Sequence, residues 1–211
     1  MIPDTYIMVG FSFIGIEEFH LKHNLRKPVD KRFMELICES ACLAGRKIDD
    51  MVFLYVNHQE LYFIYGKKSN PCDRISETLV SRLTSGFCCE FALKWNKYFP
   101  DVCMTEPLDV VANLGIFPRK ALLIDHLKQK QQEYYLQVMN KYIIKILWDN
   151  EQPDLGIVSG SLAEKNDFLF HYGVNYSQID PIFRKGIIYS SRNNECIYTD
   201  INEPFLKHIK I

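Results

Sequence analysis

Three things are missing from this sequence: a run of about 20 apolar residues such as a membrane-spanning helix needs, a C-x-x-C pair, and an excess of charge of either sign. The first absence, with a start (Met1-Ile2-Pro3-Asp4) that is neither arginine-rich nor followed by a signal-type apolar core, predicts a soluble intracellular protein with no membrane partner. It does not choose between cytoplasm, nucleus and mitochondrion. The seven cysteines are an odd number and point to a reduced compartment rather than a disulfide scaffold. Cys38 and Cys42 stand one helical turn apart and Cys88 and Cys89 are adjacent, but no further ligands at metal spacing accompany them. They read as buried apolar thiols and not as a zinc site. A net charge of -1 and a pI near 6.6 exclude a protein that coats nucleic acid by bulk charge, while leaving room for a local basic patch. Internal repeats and low-complexity linkers are absent too.

What is present suits a single domain over residues 1–211: 47% hydrophobic and 24% charged positions are enough for a sizeable core. Tyr6 to Phe13 is rich in β-branched and aromatic residues and predicts a strand, followed by a loop. Apolar positions at helical spacing over Val29 to Ala44 follow the Lys27-Pro28 start signal and predict an amphipathic helix. Met51 to Tyr65 reads as a hairpin with a polar tip at Asn57-His58-Gln59. A second helix spans Asp73 to Phe99 and ends before Pro100, its rings Phe91, Trp95, Tyr98 and Phe99 serving the core. Leu108 to Ala112 suits a short strand. Ala121 to Leu147 suits a helix with a polar middle, Lys128 to Glu133, which is either a solvated face or a ligand-touching surface. Gly156, Gly160 and Gly173 mark a loop-rich stretch, and Ile187 to Ser190 a last strand before a polar tail. The order of elements predicts an α/β (α+β) fold.

Several segments share their order of residues with one family. Ile2-Pro3-Asp4-Thr5-Tyr6-Ile7-Met8-Val9 is similar to L-P-N-T-W-I-V-V, and the stretch from Val9 to Ile16 to V-R-I-D-G-R-G-F. Phe19, Lys22-His23-Asn24-Leu25, Lys27-Pro28-Val29-Asp30 and Arg32 continue in the same register as F-S-K-K-H-N-F-x-K-P-N-D-x-R. Tyr55 to Phe63 resembles Y-G-Q-S-D-E-Y-S-F, Asp73-Arg74-Ile75-Ser76 resembles R-R-A-S, and Gly160 to Asp167 resembles G-T-L-A-x-D-K-N-E. Val174-Asn175-Tyr176 through Pro181-Ile182-Phe183-Arg184-Lys185-Gly186 is similar to I-N-Y-N-N-E-P-P-M-Y-R-K-G. Together they resemble the tRNA(His) guanylyltransferase family along almost the whole chain. The resemblance implies a polymerase-palm-like antiparallel sheet flanked by helices, with a palm-like core over about 1–125 and a helical, loop-rich part over about 121–211. It also implies addition of guanylate to the tRNA 5′ end with two Mg²⁺ ions and GTP or ATP, and an oligomer.

At the family's two metal-binding aspartates this chain carries Ser12 and Gln59, and at the arginines of V-R-I-D-G-R it carries Gly10 and Ile14. Hard cations need carboxylate oxygens, so affinity for two Mg²⁺ ions is expected to fall steeply. Glu60 follows Gln59, but strand neighbours face opposite ways, so both it and His58 are expected to face away from the site. Glu17 and Glu18 are the carboxylates that could rescue a metal site from the following segment. The H-I-N-N-L-Y-N helix of the family reads Tyr134-Tyr135-Leu136-Gln137-Val138-Met139-Asn140 here.

Lys27, Asp30, His58, Arg74, Lys165, Asn166, Arg184 and Lys185 stand at the family's polar positions as candidate nucleotide or tRNA contacts. The alternative is that they hold loops or lie on a solvated face. The expected function is a catalytically impaired relative acting as a tRNA-binding or scaffold subunit, self-associating or joined to an active family member. The competing expectation is a nucleotidyltransferase with relocated metal ligands.

Overall fold

Six strands, β1 (Tyr6–Ile14), β2 (Met51–Val56), β3 (Glu60–Tyr65), β4 (Asp109–Phe117), β5 (Ile187–Ser190) and β6 (Glu195–Ile197), form one sheet in the order β4-β1-β3-β2-β5-β6. Every neighbouring pair is antiparallel. The structure is a computed structural model that describes residues 1–151 and 155–202. The polar tail beyond Asn202 lies outside them. The helices are α1 (Ile16–Lys22), α2 (Lys31–Arg46), α3 (Ser76–Tyr98), α4 (Lys120–Asp149), α5 (Leu162–His171) and α6 (Pro181–Lys185). This is the α/β class, an antiparallel sheet flanked by helices, that the sequence predicts.

The period-2 alternation of the strands divides the core in two. Ile7, Val9, Phe11 and Phe13 of β1, with Leu61, Phe63 and Tyr65 of β3, face α2 and α3 in one cluster. Met8, Tyr55, Tyr62 and Ile64 point the other way, where Leu123, Ile124 and Leu127 of α4 cover them. On the first side the rings interlock: Phe11 meets Phe63 and Phe87 edge-on at 5.3 and 5.7 Å. Phe91, Trp95 and Phe99 are buried, as the sequence predicts, and the indole N–H of Trp95 donates to the Val102 carbonyl at 2.6 Å.

Thirty residues make α4 about 45 Å long. Its first turns lie on the second cluster, whereas Tyr134, Val138, Met139, Ile143 and Leu147 belong to the first. The polar middle is solvated at Lys128, Gln129 and Gln132 but not at Gln131. Gln131 is buried, its amide donating to the carbonyls of Lys185 and Thr199 and its oxygen accepting from the Ile201 amide.

Several expectations change. A helix, α1, follows β1 in place of a loop. The fourth strand runs on to Phe117 through Asn113 and Gly115, because nine consecutive pairings with β1 outweigh the weak strand propensity of those residues. A capping box at Ser161 and Glu164 starts α5 inside the stretch that reads as loop. Cys88 and Cys89 are exposed, since the core stripe of α3 runs Leu79, Leu83, Phe87, Phe91, Trp95 and leaves them off it. The hairpin tip is not a solvated one: Asn57 and His58 are 2% and 0% exposed. Gly186 (φ 76°) begins β5 against the hairpin, and a Cβ there would lie 2.5 Å from the Val56 carbonyl oxygen.

Candidate functional site

Ser12 near the end of β1 is the ladder partner of Glu60 at the start of β3, and residues directly opposite in an antiparallel pair share a face. The expectation that Glu60 faces away from this site is therefore overturned. Gln59 lies in the turn before β3, where strand alternation does not apply, and its carbonyl accepts from the Phe13 amide at 2.9 Å. The Asn57 side-chain oxygen closes the turn by accepting from the Gln59 and Glu60 amides at 2.9 and 2.7 Å.

The Glu60 carboxylate is already occupied. The Tyr62 hydroxyl donates to one oxygen at 2.7 Å, and the Lys130 ammonium of α4 meets the other at 3.3 Å. Burial and the Glu60 charge push the Tyr62 hydroxyl up, so it stays a donor. Burial works against the charge on Lys130, but Glu60 and Glu133 outweigh it and raise its pKa. One carboxylate held by an ammonium and a phenol, beside a hydroxyl and an amide, does not fit a pair of Mg²⁺ ions. Among the described residues no group of three or more His, Cys, Asp or Glu side chains is placed to hold a metal.

Glu17 and Glu18 are directed elsewhere. Glu17 forms an ion pair with Lys141, eleven residues beyond Lys130 and so about 16 Å further along α4. Glu18 pairs with Lys22, which also holds Glu106 at 2.9 Å. Behind Glu17 opens a cavity of about 680 Å³ between α1, the Arg26-Lys27-Pro28 segment and the far half of α4. Arg26, Lys27, Lys141 and Lys145 line it with Glu17, Asp149 and the exposed Trp148, so four cations face two carboxylates.

Several buried polar groups lack partners, of which His20 lines the cavity. His58, packed against Tyr134 at 5.4 Å, has no hydrogen-bond partner for either ring nitrogen, and His20 Nε2 and Asn140 Oδ1 have none. Burial first, then the Lys141 charge, lowers His20 to about 4, and burial, Lys141 and His20 lower His58. Burial also lowers Lys141, against the pull of Glu17.

Of the remaining candidates, Lys27 lines the cavity and the others are spread over the molecule. Asp30 caps α2, accepting from the Arg26 and Arg32 amides and the Arg32 guanidinium; burial opposes its charge, but these donors hold its pKa down. The Arg74 guanidinium donates to backbone oxygens of Ile2, Thr5, Lys67 and Ser69, clamping the N-terminal segment. Lys165 is buried on α5, where Asn166 donates back to Leu162. Arg184 donates to the Ile179 carbonyl and Lys185 pairs with Asp200. Lys130 falls in the polar stretch that the sequence marks, whereas Lys141, Tyr62 and Trp148 carry no such signal as site residues. Only the strand register and the course of α4 bring them to the site.

The tRNAHis guanylyltransferase family model matches residues 1–123, more than half of the chain. The chain belongs to that family. Among curated relatives, the tRNA(His) guanylyltransferase of Schizosaccharomyces pombe is 27% identical over 90% of this chain and 74% of its own length. The probable human tRNA(His) guanylyltransferase is 25% identical over 100% of this chain and 70% of its own length. The crystal structure of the Saccharomyces cerevisiae enzyme superposes with a TM-score of 0.84 at 19% identity, covering 94% of this chain and 90% of that one. A bacterial tRNA(His) guanylyltransferase-like protein in complex with ATP gives 0.75 at 13% identity, over 99% and 88%. For this tRNA(His) guanylyltransferase family member the matched region comprises β1 to β4 and the first turn of α4, so the Ser12–Glu60 edge lies inside it and Lys130 beyond it. No helix among the described residues is long and apolar enough to cross a membrane.

Proposed function

We propose that this tRNA(His) guanylyltransferase family member binds a nucleotide or a tRNA 5′ end without carrying out two-metal nucleotidyl transfer, and serves as a tRNA-binding subunit, self-associated or joined to an active relative. The observation that carries this reading is the Glu60–Lys130 pair. Two-metal transfer depends on carboxylates that clamp the attacking and leaving oxygens through the ions. Here Ser12 and Gln59 supply none, and the remaining carboxylate is neutralised from within by a lysine. Binding has separate support. The cavity volume is in the range of small-molecule sites, its cations suit phosphate, and Trp148 offers a ring for a base to stack on. Structural neighbours have been captured with ATP and with GTP.

Titration of the purified chain with GTP and with Mg²⁺ by calorimetry, alongside a guanylate-addition assay on tRNA with ATP and GTP, tests the reading. Binding of GTP or tRNA with no extension of the tRNA 5′ end is expected. Extension that Glu17→Gln or Glu60→Gln abolishes would overturn it in favour of an active nucleotidyltransferase with relocated ligands.

A further inference from the structure

Three of the seven cysteines gather on the side of the molecule away from the Ser12–Glu60 edge. Cys38 and Cys42 project from one face of α2, and Cys196 reaches them from β6. Cys38 Sγ lies 4.0 Å from Cys42 Sγ and 4.0 Å from Cys196 Sγ, across a sequence separation of 158 residues. Cys38 and Cys42 are buried while Cys196 is exposed. The cluster lines an open groove of about 460 Å³ shared with Glu35, Glu39, Arg46 and Lys97. Since no metal-holding group is found among the described residues, thiol chemistry is what this arrangement can perform.

We propose that Cys196 and Cys38 form an oxidant-responsive pair that closes to a disulfide between β6 and α2, with a hydroperoxide as the oxidant. The Cys196 thiolate attacks the peroxide, the O–O bond breaks, and Cys196 becomes a sulfenic acid while the leaving oxygen departs as water or alcohol. Cys38 sulfur then attacks the Cys196 sulfur, the S–O bond breaks, and the oxygen leaves as water with the Cys38 proton. Two thiols thereby lose two electrons and the peroxide gains them.

The geometry assigns the roles. Cys196 is the sulfur a solute can reach, and a hydrogen bond from the Cys38 thiol, partly offset by burial, brings its pKa to about 7. Hydrogen bonds to Cys196 and Cys42 and burial hold Cys38 up, so it keeps its proton while Cys196 meets the peroxide, and it resolves because its sulfur is adjacent, passing its proton to the departing oxygen as it attacks. Cys42 is the wrong partner for Cys38. Cβ atoms one turn apart on a helix are about 5–6 Å from each other, and a disulfide needs about 3.5–4.5 Å. Cys196 is carried by a three-residue edge strand, paired only with β5, that can shift toward α2 more readily than two residues of one helix can approach each other. Closure would bolt the β5–β6 hairpin, and with it the Thr199–Ile201 segment held by Gln131, onto α2.

The test treats the full chain with graded hydrogen peroxide, alkylates the remaining thiols and maps the products by peptide mass spectrometry. A Cys38–Cys196 cross-linked peptide, reversed by dithiothreitol and formed roughly tenfold faster than oxidation at the exposed Cys88, Cys89 and Cys103, is expected. It should persist in Cys42→Ser and vanish in Cys196→Ser. In Cys38→Ser the Cys196 sulfenic acid should accumulate and react with dimedone. Because Cys38 is buried and its replacement could disturb folding, a second readout uses the unaltered chain. Its Tm should rise by roughly 5–10 °C on oxidation and return on reduction. Absence of the cross-link, oxidation led by Cys88, Cys89 or Cys103, or an equal Cys38–Cys42 bridge in Cys196→Ser would overturn the proposal.

Discussion

Two regions contacted by α4 handle charge in opposite ways. At the Ser12–Glu60 edge the Glu60 carboxylate is held by Tyr62 and Lys130, and Lys130 is shared with Glu133. At the cavity, Lys141 is paired with Glu17, but Arg26 and Lys27 have no ion-pair partner among the described residues, and His20 and His58 lie behind them with unbonded ring nitrogens. In the first region the carboxylate is engaged by groups of the chain itself. The second retains unspent capacity for an anion. On the proposed reading, metal ligation and anion binding rest on different side chains, about 16 Å apart along one helix.

The contrast can be tested from its largest expected effect downward. Acid should strike the cavity side first. The folded pKa of His20 is lowered to about 4 from 6.5, so its contribution is fully present above pH 6.5 and is lost as the pH falls from there through 4. The loss amounts to roughly 3 kcal/mol. Urea midpoints between pH 7.5 and 4 should record it, and His20→Phe should flatten the profile relative to the unaltered chain. An unchanged slope in that variant would assign the acid sensitivity to other groups.

The edge can be reopened. Ser12→Asp with Gln59→Asp should raise Mg²⁺ affinity, and adding Lys130→Met should raise it by about a further tenfold, since the internal counter-ion is then gone. Calorimetry that finds no difference between the double and triple variants would mean that Lys130 does not shield the site. On the cavity side, Lys27→Ala should weaken GTP binding by about tenfold while Glu60→Gln leaves it within about twofold. Equal losses in the two would merge the regions into one site. The smallest effect is expected at Glu18→Gln. The Glu18–Lys22 pair is exposed and screened by solvent, so the melting temperature should barely move and Mg²⁺ binding not at all.

Much of the fold could be read from the sequence because its signals were local. The hairpin over Met51–Tyr65, the helix ending before Pro100 and the buried rings Phe91, Trp95 and Phe99 all follow from alternation, helical spacing and a terminating proline. What escaped depended on partners distant in the chain. β4 is nine residues long because β1 is, and β6 forms only against β5. The start of α5 is local by contrast, since Ser161 and Glu164 spell a capping box in the sequence itself. At the candidate site, the absence of carboxylates at Ser12 and Gln59 was legible, but the facing of Glu60 was not. Strand alternation counted from Gln59 gave the opposite face, and the true reference is the cross-strand partner Ser12. Asp30 and Arg74 looked like ligand contacts by motif, whereas the structure commits both to holding the backbone.

Gly186 carries the last lesson. It closes the Arg184-Lys185-Gly186 motif shared with the family, and its left-handed backbone sits where any side chain would collide with Val56 and Tyr55. An aspartate that grips a metal answers to the reaction it serves. A glycine wedged beneath a hairpin answers to the sheet itself. Any residue other than glycine at 186 would therefore have to displace the hairpin before β5 could pair with it.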